Sequence, residues 1–251
     1  NKAEKRMTPL QIEKAKELAK NWNPKAKQSD IHETYSSSSV SFADEYQDSF
    51  KAIDQGDYKT AADYQDGFKA IDRGDYKTAY KLWLPYAEQG DAEAQFNLGL
   101  IFHQALVVPE NFKDAIKWYR RSAQQGNASA QLNLGVMHSR GEGVPQNYKE
   151  AVKWTRLSVE QGDASAQLNL GLDYAMGQGV PQNYKEAVKL FRLSAEQENI
   201  WAKTNLGWMH DHGYGVPQDR KKALRIYRLS AELGDIYAQY NLGIMHQSGK
   251  G

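Results

Sequence analysis

The chain has 251 residues, with thirty-two Lys and Arg against thirty-one Asp and Glu. A net charge of +1 argues against a protein built to seek nucleic acid, and the absence of cysteine excludes disulfides and thiolate metal sites. No run approaches the length of a transmembrane helix, and the length suits one or two domains.

Residues 1–27 are basic, with Lys2, Lys5, Arg6, Lys14, Lys16, Lys20, Lys25 and Lys27 against Glu4, Glu13 and Glu17. Thr8-Pro9-Leu10-Gln11 is a helix start with a cap, Pro at the first helical position and Gln at the third. Leu10, Ile12, Ala15, Leu18, Ala19 and Trp22 form the apolar stripe of an amphipathic helix that ends at Asn23-Pro24. Residues 28–44 are polar, serine-rich and without helical period, and read as a linker.

Residues 45–61 are repeated as 63–79 with three of seventeen positions changed, at a step of 18 residues. Together 45–89 read as a duplicated, incomplete first unit. Phe68, Ala70 and Ile71 belong to a short first helix. Tyr76 to Gln89 forms the second, with Leu82, Trp83, Tyr86 and Ala87 as its expected buried face and Pro85 as a possible kink. Phe50 and Ile53 in the first copy would suit the same docking site as Phe68 and Ile71, which leaves a register choice or a swap of the N-terminal unit open beside simple duplication.

From residue 90 onward one unit recurs every 36 residues. Leu98, Leu134, Leu170, Leu206 and Leu242 keep this step, as do Pro109, Pro145, Pro181 and Pro217. A strict period of this length predicts an all-α fold, a solenoid of helix hairpins, in which each unit buries its apolar face only against its neighbours. In the unit at 126–161, Ala130, Leu134, Met137 and His138 share one helical face, and the helix ends near Arg140 at Gly141. Val144-Pro145-Gln146-Asn147 makes the turn. A second helix runs from about Tyr148 to Gln161, with Tyr148, Ala151, Val152, Trp154, Thr155, Ser158 and Val159 inward. The unit at 90–125 replaces the glycine-rich turn by Gln104 to Val108, which predicts a longer first helix or exposed Leu106 and Val107. The unit at 198–233 opens on Glu198-Asn199-Ile200-Trp201 in place of a glycine-led start.

Gln95-Phe96-Asn97-Leu98-Gly99 and Gly141-Glu142-Gly143-Val144-Pro145 carry a pattern that resembles the Sel1-like repeat family, related to tetratricopeptide arrays, over about residues 63–251. The resemblance implies an α/α-solenoid used for protein–protein interaction, often in bacteria, and no catalytic activity. It also implies that residues 1–27 look like the helix that caps such arrays, although here that helix precedes the repeats. The final unit stops at Gly251, within its turn. Self-association through this open C-terminal repeat or through the N-terminal helix is one expectation, and a piece of a longer array is the other. Members that begin with a segment like Phe68 to Ala79 often follow a signal peptide, which favours an exported or periplasmic protein over a cytoplasmic one.

The chemistry of the chain offers no phosphate loop and no nucleophile elbow. His138, His210 and His246 occupy one repeat position, about 10 Å apart per unit, and read as core or rim residues. His210-Asp211-His212 is a weak metal candidate because positions i and i+2 do not share a helix face. No cofactor, metal site or catalytic group is expected. The expected functional surface is the concave groove lined by the first helices. There Asn97, Asn133, Asn169, Asn205 and Asn241 form a ladder of amides beside Phe96, Trp208 and Tyr240. The partner expected is a protein or peptide segment. The other reading of the asparagines is that they cap or bridge helices internally. The expected function is a scaffold or adaptor, and the alternative is an immunity protein that sequesters a secreted bacterial toxin or enzyme.

Overall fold

The computed structural model describes residues 58–104 and 112–247, so the expectations for residues 1–57, for Leu106 and Val107 and for residues 248–251 lie outside the described residues. The described residues fall into two compact units that divide between Asn147 and Tyr148. The first holds α1 (Tyr58–Asp72), α2 (Tyr76–Gln89), α3 (Ala92–His103), α4 (Phe112–Gln124) and α5 (Ala128–Arg140). The second holds α6 (Tyr148–Glu160), α7 (Ala164–Met176), α8 (Tyr184–Glu196), α9 (Ile200–His212), α10 (Arg220–Glu232) and α11 (Ile236–Gln247). Among the described residues there is no strand, and within each unit consecutive helices pack on one another as the hairpins of an α/α-solenoid.

The 36-residue motif specifies each hairpin by local hydrogen bonding. An Asp or Asn precedes the first helices α3, α5, α7 and α9, and its side chain accepts from the backbone N–H three residues on: Asp91 from Ala94, Asn127 from Ala130, Asp163 from Ala166 and Asn199 from Ala202. The first helices α5, α7 and α9 each end on a left-handed glycine, Gly141, Gly177 and Gly213. The following Val-Pro-Gln turn is held by its glutamine. Gln146, Gln182 and Gln218 donate from Nε2 to the carbonyls of Ser139, Ala175 and Asp211, at 2.8, 2.8 and 2.6 Å. These carbonyls are among those that a helix end leaves without an internal partner.

A close approach of glycine to aromatic ring joins the two helices of a hairpin. A Cβ on Gly171 of α7 would lie 2.6 Å from the Phe191 ring of α8, and one on Gly207 of α9 would lie 2.8 Å from Tyr227 of α10. Ser194 adds a hydrogen bond of 2.7 Å from Oγ to the Ala164 carbonyl. Glutamines at one motif position, buried at Gln95 and Gln131 and half-buried at Gln239, then tie one repeat to the next. Gln95 Nε2 donates to the Ala87 carbonyl at 2.9 Å, Gln131 to Ala123 at 3.1 Å and Gln239 to Ala231 at 3.4 Å. In the repeat from 198, Lys203 stands at this glutamine position and forms an ion pair with Glu198. Glu198 itself replaces the inter-repeat glycine and is the only described non-glycine residue with positive φ, at 65°.

The core of the first unit gathers Phe68, Ala79, Trp83, Ala87, Leu98 and Ile101. Trp83 and Ala87 are buried as expected, whereas Leu82 and Tyr86 are half-buried, and α2 continues through Pro85. Tyr148, Trp154 and Val159, expected inward, are half-buried as well. The second copy of the duplicated segment packs against Trp83, and residues 45–57 of the first copy lie outside the described residues. Trp83 lies so close over Gly67 that a Cβ there would stand 2.6 Å from its indole carbon Cε2. The first copy has Ser49 at the corresponding place and cannot take this seat unless Trp83 moves. The variant Gly67→Ser is expected to lose about 1–3 kcal/mol of stability by overpacking, read as a lowered urea midpoint.

Candidate functional site

The asparagine positions do not form one uniform ladder. In the first unit Asn97 is 1% exposed, neither of its amide atoms is hydrogen-bonded, and Phe96 beside it is buried with its ring 5.9 Å from Tyr119. These two residues were expected to line a groove. Packing against α4 takes Phe96 out of contact with solvent. Asn133 of α5 is half-buried, and its side chain makes no hydrogen bond within the described residues.

In the second unit the three asparagines are all half-buried. Asn205 Nδ2 donates back to the Trp201 carbonyl at 2.9 Å, which is internal use. The side chains of Asn169 and Asn241 make no hydrogen bond within the described residues. Leu168 and Leu172 beside Asn169 are buried, while Trp208, Tyr240 and Ile244 on α9 and α11 keep contact with solvent. Thr204 takes the place that leucine holds in α5 and α7, and donates from its hydroxyl to Asp235, the residue that opens the next repeat. Burial pushes the Asp235 carboxyl up, against the hydrogen bonds from Thr204 and from the Tyr237 and Ala238 backbone, which lower it.

An aromatic platform adjoins this face and was not foreseen. The Tyr214 ring stacks on Tyr184 at 4.6 Å and 14°, Trp208 lies 5.0 Å from Tyr214, and His212 lies 4.7 Å from Trp208. Tyr214 sits between the two glycines of the turn, where the other repeats carry Glu142 and Gln178. That substitution was visible in the sequence. His212 also pairs its Nδ1 with the Trp208 carbonyl at 3.0 Å, so His212 of the His210-Asp211-His212 run belongs to this platform.

One cluster in the first unit has the look of a proton relay. His103 Nδ1 lies 3.3 Å from the Tyr119 hydroxyl, His103 Nε2 lies 3.1 Å from Glu142, and Arg140 lies 3.4 Å from the other Glu142 oxygen. Burial raises the Glu142 pKa, but the hydrogen bond and charge of His103 and the charge of Arg140 outweigh it and hold the carboxyl below its ordinary value. Tyr119 is fully buried, and burial, then the Glu142 charge, push its phenol well above the ordinary range. A nucleophile or base needs the opposite shift and access to substrate. The cluster fastens the turn of one repeat to the helix end of the repeat before it.

Each unit is thus an array of helix hairpins, and in the second unit Trp208, Tyr214 and Tyr240 keep contact with solvent beside the asparagines. Sel1 repeat models match residues 55–91, 92–127, 128–163, 164–199, 202–235 and 236–251. The chain belongs to the Sel1 repeat family. It is similar to c5321, described as a protective antigen of uropathogenic Escherichia coli displaying an SLR fold, with 33% identity, TM-score 0.69, 81% of this chain and 44% of that one. It is likewise similar to a Sel1 repeat protein from Oxalobacter formigenes, with 30% identity, TM-score 0.70, 75% of this chain and 77% of that one. The chain thus spans less than half the length of the E. coli protein. No curated protein sequence matches it. Sel1 repeat proteins are generally protein-interaction scaffolds and typically non-catalytic. Among the described residues no helix is long and apolar enough to cross a membrane.

Proposed function

We propose that this Sel1 repeat chain is a scaffold without catalytic activity that holds an extended segment of a protein partner on the first-helix face of its second unit. The observation that carries the reading is the state of Asn169 and Asn241. Each presents a half-buried amide with donors and an acceptor and no partner inside the described residues. A half-buried amide gains most from a partner whose backbone supplies both a carbonyl and an N–H. Asn205 sits between them in the repeat order and exchanges its own helix carbonyl for a partner group at small cost. Trp208, Tyr214 and Tyr240 supply the apolar area that such a segment covers. Asn133 makes the corresponding offer in the first unit, whereas Phe96 and Asn97 are too buried to take part.

The test is an affinity capture from the source organism with the intact chain and with Asn169→Ala, Asn205→Ala and Asn241→Ala combined, after circular dichroism shows equal helicity. A partner held by the intact chain is expected to be lost by more than about tenfold from the variant, as each lost hydrogen bond contributes about 0.5–1.5 kcal/mol. Retention of the partner by the variant would place these amides among the structural residues and remove the proposal.

A further inference from the structure

The second unit segregates its charge by helix type. The second helices α6, α8 and α10 together carry eleven Lys and Arg against five Glu. The first helices α7, α9 and α11 carry one lysine and two aspartates. A chain of net charge +1 therefore concentrates positive charge on its second helices. The same helices each expose a leucine at one repeat position: Leu157 at 41%, Leu193 at 40% and Leu229 at 62%.

On α8 these features meet at a cleft of about 290 Å³, open to solvent, between the helix and the turn after α9. Val188, Leu193 and Val216 give it an apolar floor, and three cations, Lys185, Lys189 and Arg192, stand around it against one carboxylate, Glu196. Lys189 is loosely paired with Glu186 at 3.7 Å. Among the described residues Lys185 and Arg192 have no ion-pair partner. Burying an apolar side chain there gains hydrophobic free energy only if the cations around it are matched by carboxylates rather than stripped of water.

We propose that the α8 cleft is a second docking site, for an acidic protein segment that inserts one aliphatic or aromatic side chain between Val188, Leu193 and Val216 and pairs its carboxylates with Lys185, Lys189 and Arg192. Charge complementarity selects an acidic occupant. The apolar elements select a protein over a lipid surface, because they are single leucines separated by charged rows around one small cleft. A bilayer takes up a continuous apolar sector instead. The cleft lies on a second helix rich in cations, whereas the asparagines lie on the first helices, so the two docking surfaces are chemically distinct.

Fluorescence anisotropy with the full chain tests this. The probe is a fluorescein-labelled synthetic peptide with one leucine flanked on both sides by glutamates, at about 0.15 M salt, where the Debye length is about 8 Å. The peptide is expected to bind. Affinity should fall about tenfold or more with Lys189→Glu and Arg192→Glu combined, and several-fold when either the peptide leucine becomes serine or Leu193→Ser is made. These residues are exposed, and unchanged circular dichroism verifies folding. The proposal is overturned by absence of binding, by binding indifferent to the charge reversal, or by equal binding of the serine peptide. It is also overturned if anionic phosphatidylglycerol vesicles or a single-stranded oligonucleotide bind more tightly than the peptide.

Discussion

At pH 8 the variant Asp173→Met is expected to be more stable than the parent by about 4 kcal/mol. Ile101, Met137, Met209 and Met245 occupy the corresponding position in the other repeats, but α7 places a carboxyl there, 7% exposed. Burial raises its pKa from the usual carboxylate value to about 7. Among the described residues no side chain pairs with it. It also lies in the last turn of α7, where the helix dipole opposes negative charge. The sign follows from linkage. The folded-state pKa lies above the unfolded one, so between about pH 4 and pH 7 the folded chain binds the extra proton. Stability is full below this window, falls through it, and the penalty is complete above pH 7. The advantage of Asp173→Met should therefore shrink to about 1.5 kcal/mol at pH 5, and Asp173→Asn should flatten the pH dependence without adding apolar burial. Urea midpoints of parent and variants from pH 4 to 8 measure this. An advantage of Asp173→Met that is the same at pH 5 and pH 8 would show that ionisation is not the cause.

The second large effect contrasts two glycines of one turn. Gly177 and Gly179 have nearly the same backbone, with φ of 73° and 70°. An alanine side chain at Gly177 meets only Gln182, at 3.4 Å, so the variant Gly177→Ala should lose about 1–2 kcal/mol for its left-handed conformation. At Gly179 the same methyl would stand 2.5 Å from the carbonyl carbon of Tyr148 and 3.0 Å from the Lys149 nitrogen. Backbone cannot swing aside like a side chain, so Gly179→Ala should lose about 3–4 kcal/mol, the conformational cost plus overpacking. Thermal or urea unfolding of the two variants decides the matter, and equal losses would show that the collision is relieved elsewhere. Midpoints are the appropriate quantity, because repeat arrays depart from two-state behaviour.

The sequence carried the periodicity, and periodicity carries most of this fold. The span of α5, its stop at Gly141 and the start of α6 at Tyr148 all follow from residues within one unit. Placement of the asparagines was less legible, since burial depends on what a neighbouring repeat puts opposite. Asn97 and Asn169 share a motif position, yet one is sealed behind packed side chains and the other is half-open. Asp173 could have been found by aligning the repeats, where one acid stands in a column of Ile and Met, but within its own helix nothing marks it. The inward glutamines were part of the motif, yet their span from one repeat to the next appears only when the hairpins are stacked. The amide ladder that joins repeats is made of glutamine.

The second glycine of each turn has a broader consequence. Gly143 approaches the backbone of Phe112, Gly179 that of Tyr148 and Gly215 that of Tyr184, each at the start of the second helix one repeat earlier. At this point the seam between neighbours is main chain against main chain, so this part of it is indifferent to the side chains that flank it. A unit that keeps its glycine keeps this part of its seat on the repeat before. Gene recombination that adds, deletes or shuffles units would then yield chains that still stack. The outward residues meanwhile drift freely toward new partners.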